Sequence, residues 1–246
     1  MARTSAGHET REKLLRAAEE LFATRGVEGA PTRDITRLAG QGNPSAVQYH
    51  FGSREGLLDA IMAARQERTG QALAPRLAGL GPAGPTGVAD LPDLLGALIA
   101  AEATELRTRH GRYCLRIAAQ INHHGGVRAR APHPTSAPAA APTGAAPTGG
   151  GHRRVVGMVE DRLRDLPEPL RLERIDLALT LIGAALADRA QQYLTGSTPL
   201  TDEEAFLADL GAMSAAMLTA PAPQCSAPVN DPTGKAATTT GIGGRP

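Results

Sequence analysis

Apolar side chains recur in this chain at the spacing of an α-helix, and this pattern constrains the fold more than any other feature. Leu14, Ala18, Leu21 and Phe22 follow the i, i+4, i+7, i+8 pattern that places them on one face of a helix over residues 9–25. Aromatic residues make up 2 % of the 246 residues and tryptophan is absent, so leucine, alanine, isoleucine and valine must build the core. Because alanine and leucine favour helices over strands, we predict an all-α protein.

Start and stop signals predict three more helices close behind the first. Gly26 is a stop signal, and Thr32 is expected to cap a second helix with Ile35, Leu38 and Ala39 on its apolar face. Asparagine caps helices and proline suits the first helical position, so the pair at residues 43–44 predicts a third helix over residues 44–50.

The fourth helix is longer and is expected to begin after a cap at Ser53. Short second and third helices followed by a long one are typical of a helix-turn-helix domain, in which the second helix braces the third and the third enters the major groove. The same spacing fits an ordinary three-helix corner of a globular domain, and spacing alone leaves both interpretations open.

One side of the predicted third helix is expected to face outward. Val47 and Phe51 are four residues apart and are expected to face the core. The outward side then carries Ser45, Ala46, Gln48 and Tyr49. Arginines near the neighbouring helix starts are expected to bind phosphates; they are Arg33, Arg37 and Arg54.

Residues 32–62 resemble the DNA-binding signature of the TetR family of repressors. The matching positions are Thr32, Ile35, Ala39-Gly40, Tyr49-His50-Phe51 and Arg54-Glu55-Gly56-Leu57-Leu58. The resemblance covers about residues 9–65, a quarter of the chain. The turn at residues 40–43 is one residue longer than the common family pattern and lacks the apolar residue usually buried there.

The resemblance implies a dimer that binds operator DNA and is released by a small-molecule effector. By position, the phosphate-contacting residues are Thr32, Arg33, Tyr49, His50 and Arg54, and the base-reading residues are Ser45, Ala46 and Gln48, with Asn43 counted among the DNA-binding set. Glutamine pairs bidentately with adenine. The alternatives are a solvated amide at Gln48 and a packed residue at His50.

The domain organisation follows from composition and from the resemblance. Residues 1–66 are expected to bind DNA, and residues 67–219 to bind the effector and to dimerise. Two segments rich in proline, alanine, threonine and glycine lack large apolar side chains, so we expect a disordered insert at 128–151 and a loose tail at 220–246. Helices are expected over residues 91–109, 112–122, 152–166, 170–194 and 202–218, the last capped by Thr201.

The helix predicted over residues 170–194 is apolar around much of its circumference, which indicates burial on nearly all sides. With the last helix it is expected to form a four-helix bundle across a two-fold axis. Tyr113, Arg116 and Gln120 lie where the family's effector pocket is found. They are equally suited to pack against the DNA-binding domain and transmit motion.

Other classes of function receive little support from the sequence. The net charge is +1, so the chain as a whole is not basic, and DNA binding would have to rely on a local basic patch. The histidines and Cys114 are not expected to form a metal site, and no cofactor is expected. No nucleophile, carboxylate pair or phosphate loop indicates an enzyme. The remaining alternatives are a regulator controlled by a protein partner and a helical ligand-binding enzyme.

The sequence also indicates the cellular compartment in which the protein is found. The two cysteines are far apart, and residues 1–13 lack the apolar stretch of a secretory signal, so a reducing cytoplasm is expected. No stretch of 18 uncharged apolar residues occurs, so no membrane span is expected.

Overall fold

A computed structural model describes residues 2–80, 89–125 and 150–222, and all regular structure in these ranges is helical, which confirms the all-α prediction. The α-helices are α1 Ala2–Arg25, α2 Thr32–Leu38, α3 Ala46–Phe51, α4 Arg54–Gly79, α5 Leu91–Glu102, α6 Arg109–Gly125, α7 Gly150–Arg162, α8 Glu168–Thr195 and α9 Glu203–Thr219. A short 3-10 helix, Ala103–Arg107, lies between α5 and α6. None of the described helices is both long and apolar enough to cross a membrane.

Local signals set some helix ends as predicted. The helix α1 ends before Gly26, whose φ of 86° is a backbone conformation that favours glycine. The Ser53 side chain accepts a hydrogen bond from the Gly56 backbone N–H at 2.9 Å, so the predicted cap of α4 is confirmed.

Other helix ends differ from the prediction by one or two residues. Pro31, not Thr32, precedes the first turn of α2, and Thr32 is its first helical residue. The cap of α9 is Asp202, whose side chain accepts from the Ala205 N–H at 2.8 Å, so the prediction of Thr201 was wrong.

The single helix predicted over residues 91–109 is broken in the structure. Thr108 has an extended backbone, and its hydroxyl accepts a hydrogen bond from the Gly111 N–H at 2.9 Å, which begins a new helix. A Cβ atom at Gly111 would lie 2.2 Å from the Glu105 carbonyl oxygen. The close approach of α6 to the 3-10 helix therefore requires glycine at this position.

The predicted disordered segments lie largely outside the described residues, but their edges are ordered. The helix α7 begins at Gly150, so the prediction of disorder was wrong for residues 150–151. The tail was also expected to be loose from residue 220 onward. Buried Arg174 instead donates hydrogen bonds to the carbonyls of Ala220 at 2.5 Å and Pro221 at 2.9 Å.

The described residues form two apolar cores. The amino-terminal core, built from α1 to α4, includes Leu14, Phe22 and Ile35, each fully buried. The carboxy-terminal core is built mainly from α5, α7, α8 and α9. The helix α6 contributes to both, with Ile117 in the first and Leu115 in the second, so it joins the two halves of the chain.

Candidate nucleic-acid interface

The helix α2 is held against α1 by apolar and charged contacts. Ile35 is fully buried, and Arg25 donates to the Asp34 carboxylate at 2.8 Å. Leu38 was predicted on the buried face but is 50 % exposed, because the apolar face of this seven-residue helix is narrow and centres on Ile35. The bracing function predicted for the second helix is therefore carried by a few contacts with α1.

Backbone hydrogen bonds close the turn after α2. Gly40 has a φ of 66°, its N–H donates to the Arg37 carbonyl at 3.1 Å, and the Gln41 N–H donates to the Thr36 carbonyl at 2.9 Å. This pair of bonds is a Schellman cap, which favours glycine at the residue with positive φ. The half-buried Gln41 side chain also donates to the Ala39 carbonyl at 3.2 Å. The turn is thus closed without the apolar residue that the family pattern has there.

The helix α3 begins at Ala46, later than the predicted start at residue 44. The Asn43 side chain accepts from the Ser45 N–H at 2.9 Å, so residues 43–45 form a turn that precedes the helix. Ala46 is 6 % exposed and Val47 is 1 % exposed, and both belong to the amino-terminal core. The prediction that Ala46 faces outward was therefore wrong, since Ala46 packs beside Val47 in the amino-terminal core.

The other residues of the turn and α3 that were predicted to contact DNA are exposed or half-buried. Asn43, Ser45 and Gln48 are exposed, and Tyr49 is 83 % exposed. His50 is half-buried, with its ring edge-to-face to Tyr49 at a centroid distance of 4.9 Å. The polar side chains of Asn43, Ser45 and Gln48 are therefore accessible along the turn and α3.

The predicted phosphate-contacting arginines divide into two groups. Arg33 and Arg37 have side chains 86 % and 76 % exposed, on either side of Asp34. Arg54 is only 21 % exposed, lies over the Phe22 ring at 5.2 Å and donates to the Ala30 carbonyl at 3.2 Å. Arg54 therefore has a packing function in the amino-terminal core. Half-buried Thr32, at the start of α2, lies beside the exposed pair in sequence.

The residues predicted for an effector pocket lie at the junction between α6 and α1. Gln120 accepts from the Val27 N–H at 2.9 Å and donates to the Phe22 carbonyl at 3.2 Å. Arg116 donates to the Ala23 carbonyl at 3.0 Å. Tyr113 is 7 % exposed and packs in the amino-terminal core. These contacts favour the alternative in which the three residues couple the two halves of the chain.

A group of buried and partly buried polar residues lies beside this junction. Glu19 of α1 contacts His110 of α6, with 2.5 Å between the carboxylate oxygen and Nδ1. Arg68 of α4 donates two hydrogen bonds to Glu105, at 2.9 and 2.7 Å, and its Nη2 lies 3.6 Å from the Cys114 Sγ. Burial raises the pKa of the Cys114 thiol to about 12. These contacts could not be predicted from the sequence, because they join residues of different helices, which are α1, α4, the 3-10 helix and α6.

A small recess of about 10 Å³ lies in the carboxy-terminal core, away from the junction. Its lining is entirely apolar and comprises Leu95, Leu98, Val155, Val156, Val159, Ile175, Ala178, Leu179 and Leu218. The lining offers no hydrogen-bonding partner to a polar group, and the volume is about that of one water molecule, so the recess would have to widen to admit a ligand.

Comparison with known proteins supports the same interpretation of the amino-terminal domain. The sequence model described as "Bacterial regulatory proteins, tetR family" matches residues 14–61. The chain is 40 % identical over 68 residues to the HTH-type transcriptional regulator SrpR of Pseudomonas putida, and the match covers 27 % of this chain and 32 % of SrpR.

A second relative and one solved structure extend the comparison. The chain is 40 % identical over 68 residues to the uncharacterized HTH-type transcriptional regulator TtgW, also of Pseudomonas putida, covering 27 % of this chain and 50 % of TtgW. The chain thus spans no more than half the length of either relative. A TetR family transcription regulator from Marinobacter aquaeolei matches over 88 % of this chain and 98 % of its own, at 16 % identity and a TM-score of 0.52, which shows the fold.

Proposed function

Because the chain belongs to the TetR family of bacterial regulatory proteins, we propose that it is a dimeric repressor that binds operator DNA and leaves it when a small-molecule effector binds. The observation that carries the proposal is the exposed polar side of α3, supported from below by the buried Ala46 and Val47. The protein is accordingly a transcription regulator and not an enzyme.

The exposed residues suggest how the two kinds of DNA contact are divided. Gln48 and Ser45 project from the segment that enters the major groove, where side chains read base edges. Arg33 and Arg37 flank this segment, and their exposed guanidinium groups can bind phosphates. Asn43, Tyr49, His50 and Thr32 complete the proposed contact surface. Ala46 is left out because it is buried.

Replacement of Gln48 by alanine should weaken binding to the cognate site by about 1–3 kcal/mol and leave non-specific binding almost unchanged, because it removes a hydrogen-bonding partner of a base. Replacement of Arg33 by alanine should weaken binding to every sequence and reduce the salt slope by about one unit for each phosphate that it no longer neutralises. Titrations of both variants on cognate and scrambled duplexes over a salt series measure the difference.

An Arg54→Ala variant serves as the contrasting case. Since Arg54 packs on Phe22, its loss should lower thermal stability more than the loss of Arg33 does.

Equal weakening of the cognate and the scrambled duplex by Gln48→Ala would mean that α3 does not read bases.

Dimerisation is supported by apolar side chains left exposed on α8 and α9, two helices that pack against each other. Leu177 of α8 is 56 % exposed and Met213 of α9 is 49 % exposed. Half-buried Leu181 and exposed Ala184 follow Leu177 at helical spacing, so they extend an apolar stripe along α8. A second copy of the chain, related by a two-fold axis, would cover this stripe and form the four-helix bundle.

Replacement of Leu177 by glutamate should convert the dimer to a monomer, because it places a charge in the centre of the proposed interface. Light scattering should give twice 25.5 kDa for the wild type and 25.5 kDa for the variant at micromolar concentration. Leu200→Glu is the matched control, since Leu200 is fully exposed between the two helices. A monomeric wild type would contradict the proposal.

The effector is proposed to be a small, mainly apolar molecule that binds in the carboxy-terminal core and widens its apolar recess. A compound of this class should raise the melting temperature of the protein and lower its affinity for operator DNA, which a thermal-shift screen followed by DNA titration would measure. If only a protein partner released the DNA, the small-molecule part of the proposal would be wrong.

A further inference from the structure

His110 and Cys114 lie four residues apart on α6, so both side chains project from the same face of the helix. Glu19 of α1 faces them, and one ligand atom from each of the three residues lies within 4.8 Å of the other two. Glu19 and Cys114 are buried, while the His110 side chain is 42 % exposed. The cluster therefore has one open side through which an ion can enter.

We propose that Glu19, His110 and Cys114 form a binding site for a borderline-soft divalent transition-metal ion such as Zn²⁺, which joins α1 to α6. Imidazole nitrogen, thiolate sulfur and carboxylate oxygen are all zinc ligands, and three protein ligands with one open position are a common arrangement. Bond lengths of about 2.0–2.3 Å place ligand atoms roughly 3.3–3.7 Å apart around a tetrahedral ion. The 4.8 Å spread of these atoms is compatible with that separation after a small inward movement of Cys114 and an opening of the Glu19–His110 contact.

The charges of the cluster match a divalent cation. The Glu19 carboxylate and the Cys114 thiolate together supply two negative charges, and binding releases the thiol proton to solvent. The positive charge of Arg68 is balanced by its two hydrogen bonds to Glu105, so it does not repel the ion unopposed. Its Nη2, 3.6 Å from Sγ, is instead placed to donate to the metal-bound thiolate, as outer-shell groups do.

The test uses the purified full-length chain, kept reduced and stripped of metal with a chelator. Titration with Co²⁺ should show one equivalent bound per chain, with the near-ultraviolet charge-transfer band of a cobalt–thiolate bond, and Zn²⁺ should displace the cobalt. Cys114→Ala should abolish this band. Loss of an outer-shell partner alone costs about 10–100-fold in metal affinity, so His110→Asn and Glu19→Gln should each weaken binding by about 100-fold or more.

Matched controls come from the same chain. Cys225→Ala and His8→Asn remove the same side-chain types outside the cluster and should leave the band and the affinity unchanged. Circular dichroism of each metal-free variant checks folding. If Cys114→Ala fails to fold, the metal affinity of His110→Asn provides the test, because His110 is half-exposed.

The proposal is overturned if the wild type binds no stoichiometric Co²⁺ or Zn²⁺, in which case the cluster is only an ion pair beside a buried thiol. It is also overturned if the band survives Cys114→Ala or falls equally with Cys225→Ala. The measurement involves no DNA, so its failure leaves the proposed function standing. Failure of the protein to bind any DNA would count against the proposed function and not against the metal site.

Discussion

Replacement of Arg68 by methionine is expected to lower the free energy of unfolding by about 3 kcal/mol, because it leaves a buried carboxylate without its partner. Glu105 is 4 % exposed and accepts two side-chain hydrogen bonds from Arg68. These bonds to Glu105 also raise the pKa of Arg68, which keeps the pair charged. The expected loss of about 3 kcal/mol lies at the low end of the range for buried ion pairs, since the Arg68 side chain is 34 % exposed. Urea unfolding of wild type and variant measures the difference.

A double variant separates the effect of the unpaired charge on stability from the effect of lost packing. Arg68→Met combined with Glu105→Leu should regain most of the stability that the single variant loses, since apolar replacements of buried ion pairs are close to neutral. Lys13→Met is the control, because Lys13 and Glu9 form an ion pair with side chains 52 % and 66 % exposed; it should change stability by no more than about 0.5 kcal/mol. A double variant no more stable than Arg68→Met alone would contradict the account of this pair.

Replacement of Phe22 by alanine should lower the free energy of unfolding by about 3–5 kcal/mol, because it leaves a cavity in the amino-terminal core. Phe22 is fully buried, and the Arg54 guanidinium lies over its ring. Its carbonyl also accepts from Gln120 of α6, so the damage is expected to loosen the junction between the two cores. Denaturant unfolding measures the first effect, and loss of DNA binding at fixed temperature measures the second.

Tyr49→Ala is the matched control, since it removes an aromatic ring from the same domain. Tyr49 is 83 % exposed, so its loss should change stability by no more than about 0.5 kcal/mol. It should nevertheless weaken DNA binding, because Tyr49 lies on the proposed contact surface. Equal destabilisation by both substitutions would mean that the packing of α3 differs from that described.

Features determined by neighbouring residues could be predicted from the sequence. The apolar face of α1 follows from the spacing of Leu14, Ala18, Leu21 and Phe22, and all four are buried. The Ser53 cap needs only the backbone three residues away. The all-α fold follows in the same way, from alanine- and leucine-rich periodic segments whose helical preference is local.

Features that depend on the start of a short helix were less accessible. Ala46 was predicted to face outward, yet it is 6 % exposed, and it is the first residue of a six-residue helix that begins later than its cap signal indicates. Successive residues of an α-helix are about 100° apart, and the spacing of Val47 and Phe51 defines the centre of the buried face but not its width, so the burial of Ala46 could not be predicted. Proline at residue 44 is a helix-start signal, but the structure uses it in the preceding turn.

Tertiary contacts between distant segments could not be predicted at all. Arg54 matches a family position that contacts phosphate, but only the fold reveals that its guanidinium packs on Phe22 and bonds to Ala30. The contact between Glu19 and His110 joins residues 91 positions apart. The spacing of His110 and Cys114 was visible in the sequence, but the third residue of the cluster comes from another helix.

The central claim is that the exposed side of α3 reads operator DNA as part of a symmetric dimer. Selection of duplexes from a random pool by the purified full-length protein, followed by footprinting of the enriched sequence, tests it most directly. We predict enrichment of a pseudo-palindromic site with two half-sites protected on one face of the duplex, and weaker enrichment by Gln48→Ala, with a relaxed preference at the base pair that Gln48 contacts. Failure to enrich any sequence at low salt, or identical enrichment by wild type and Gln48→Ala, would contradict the claim.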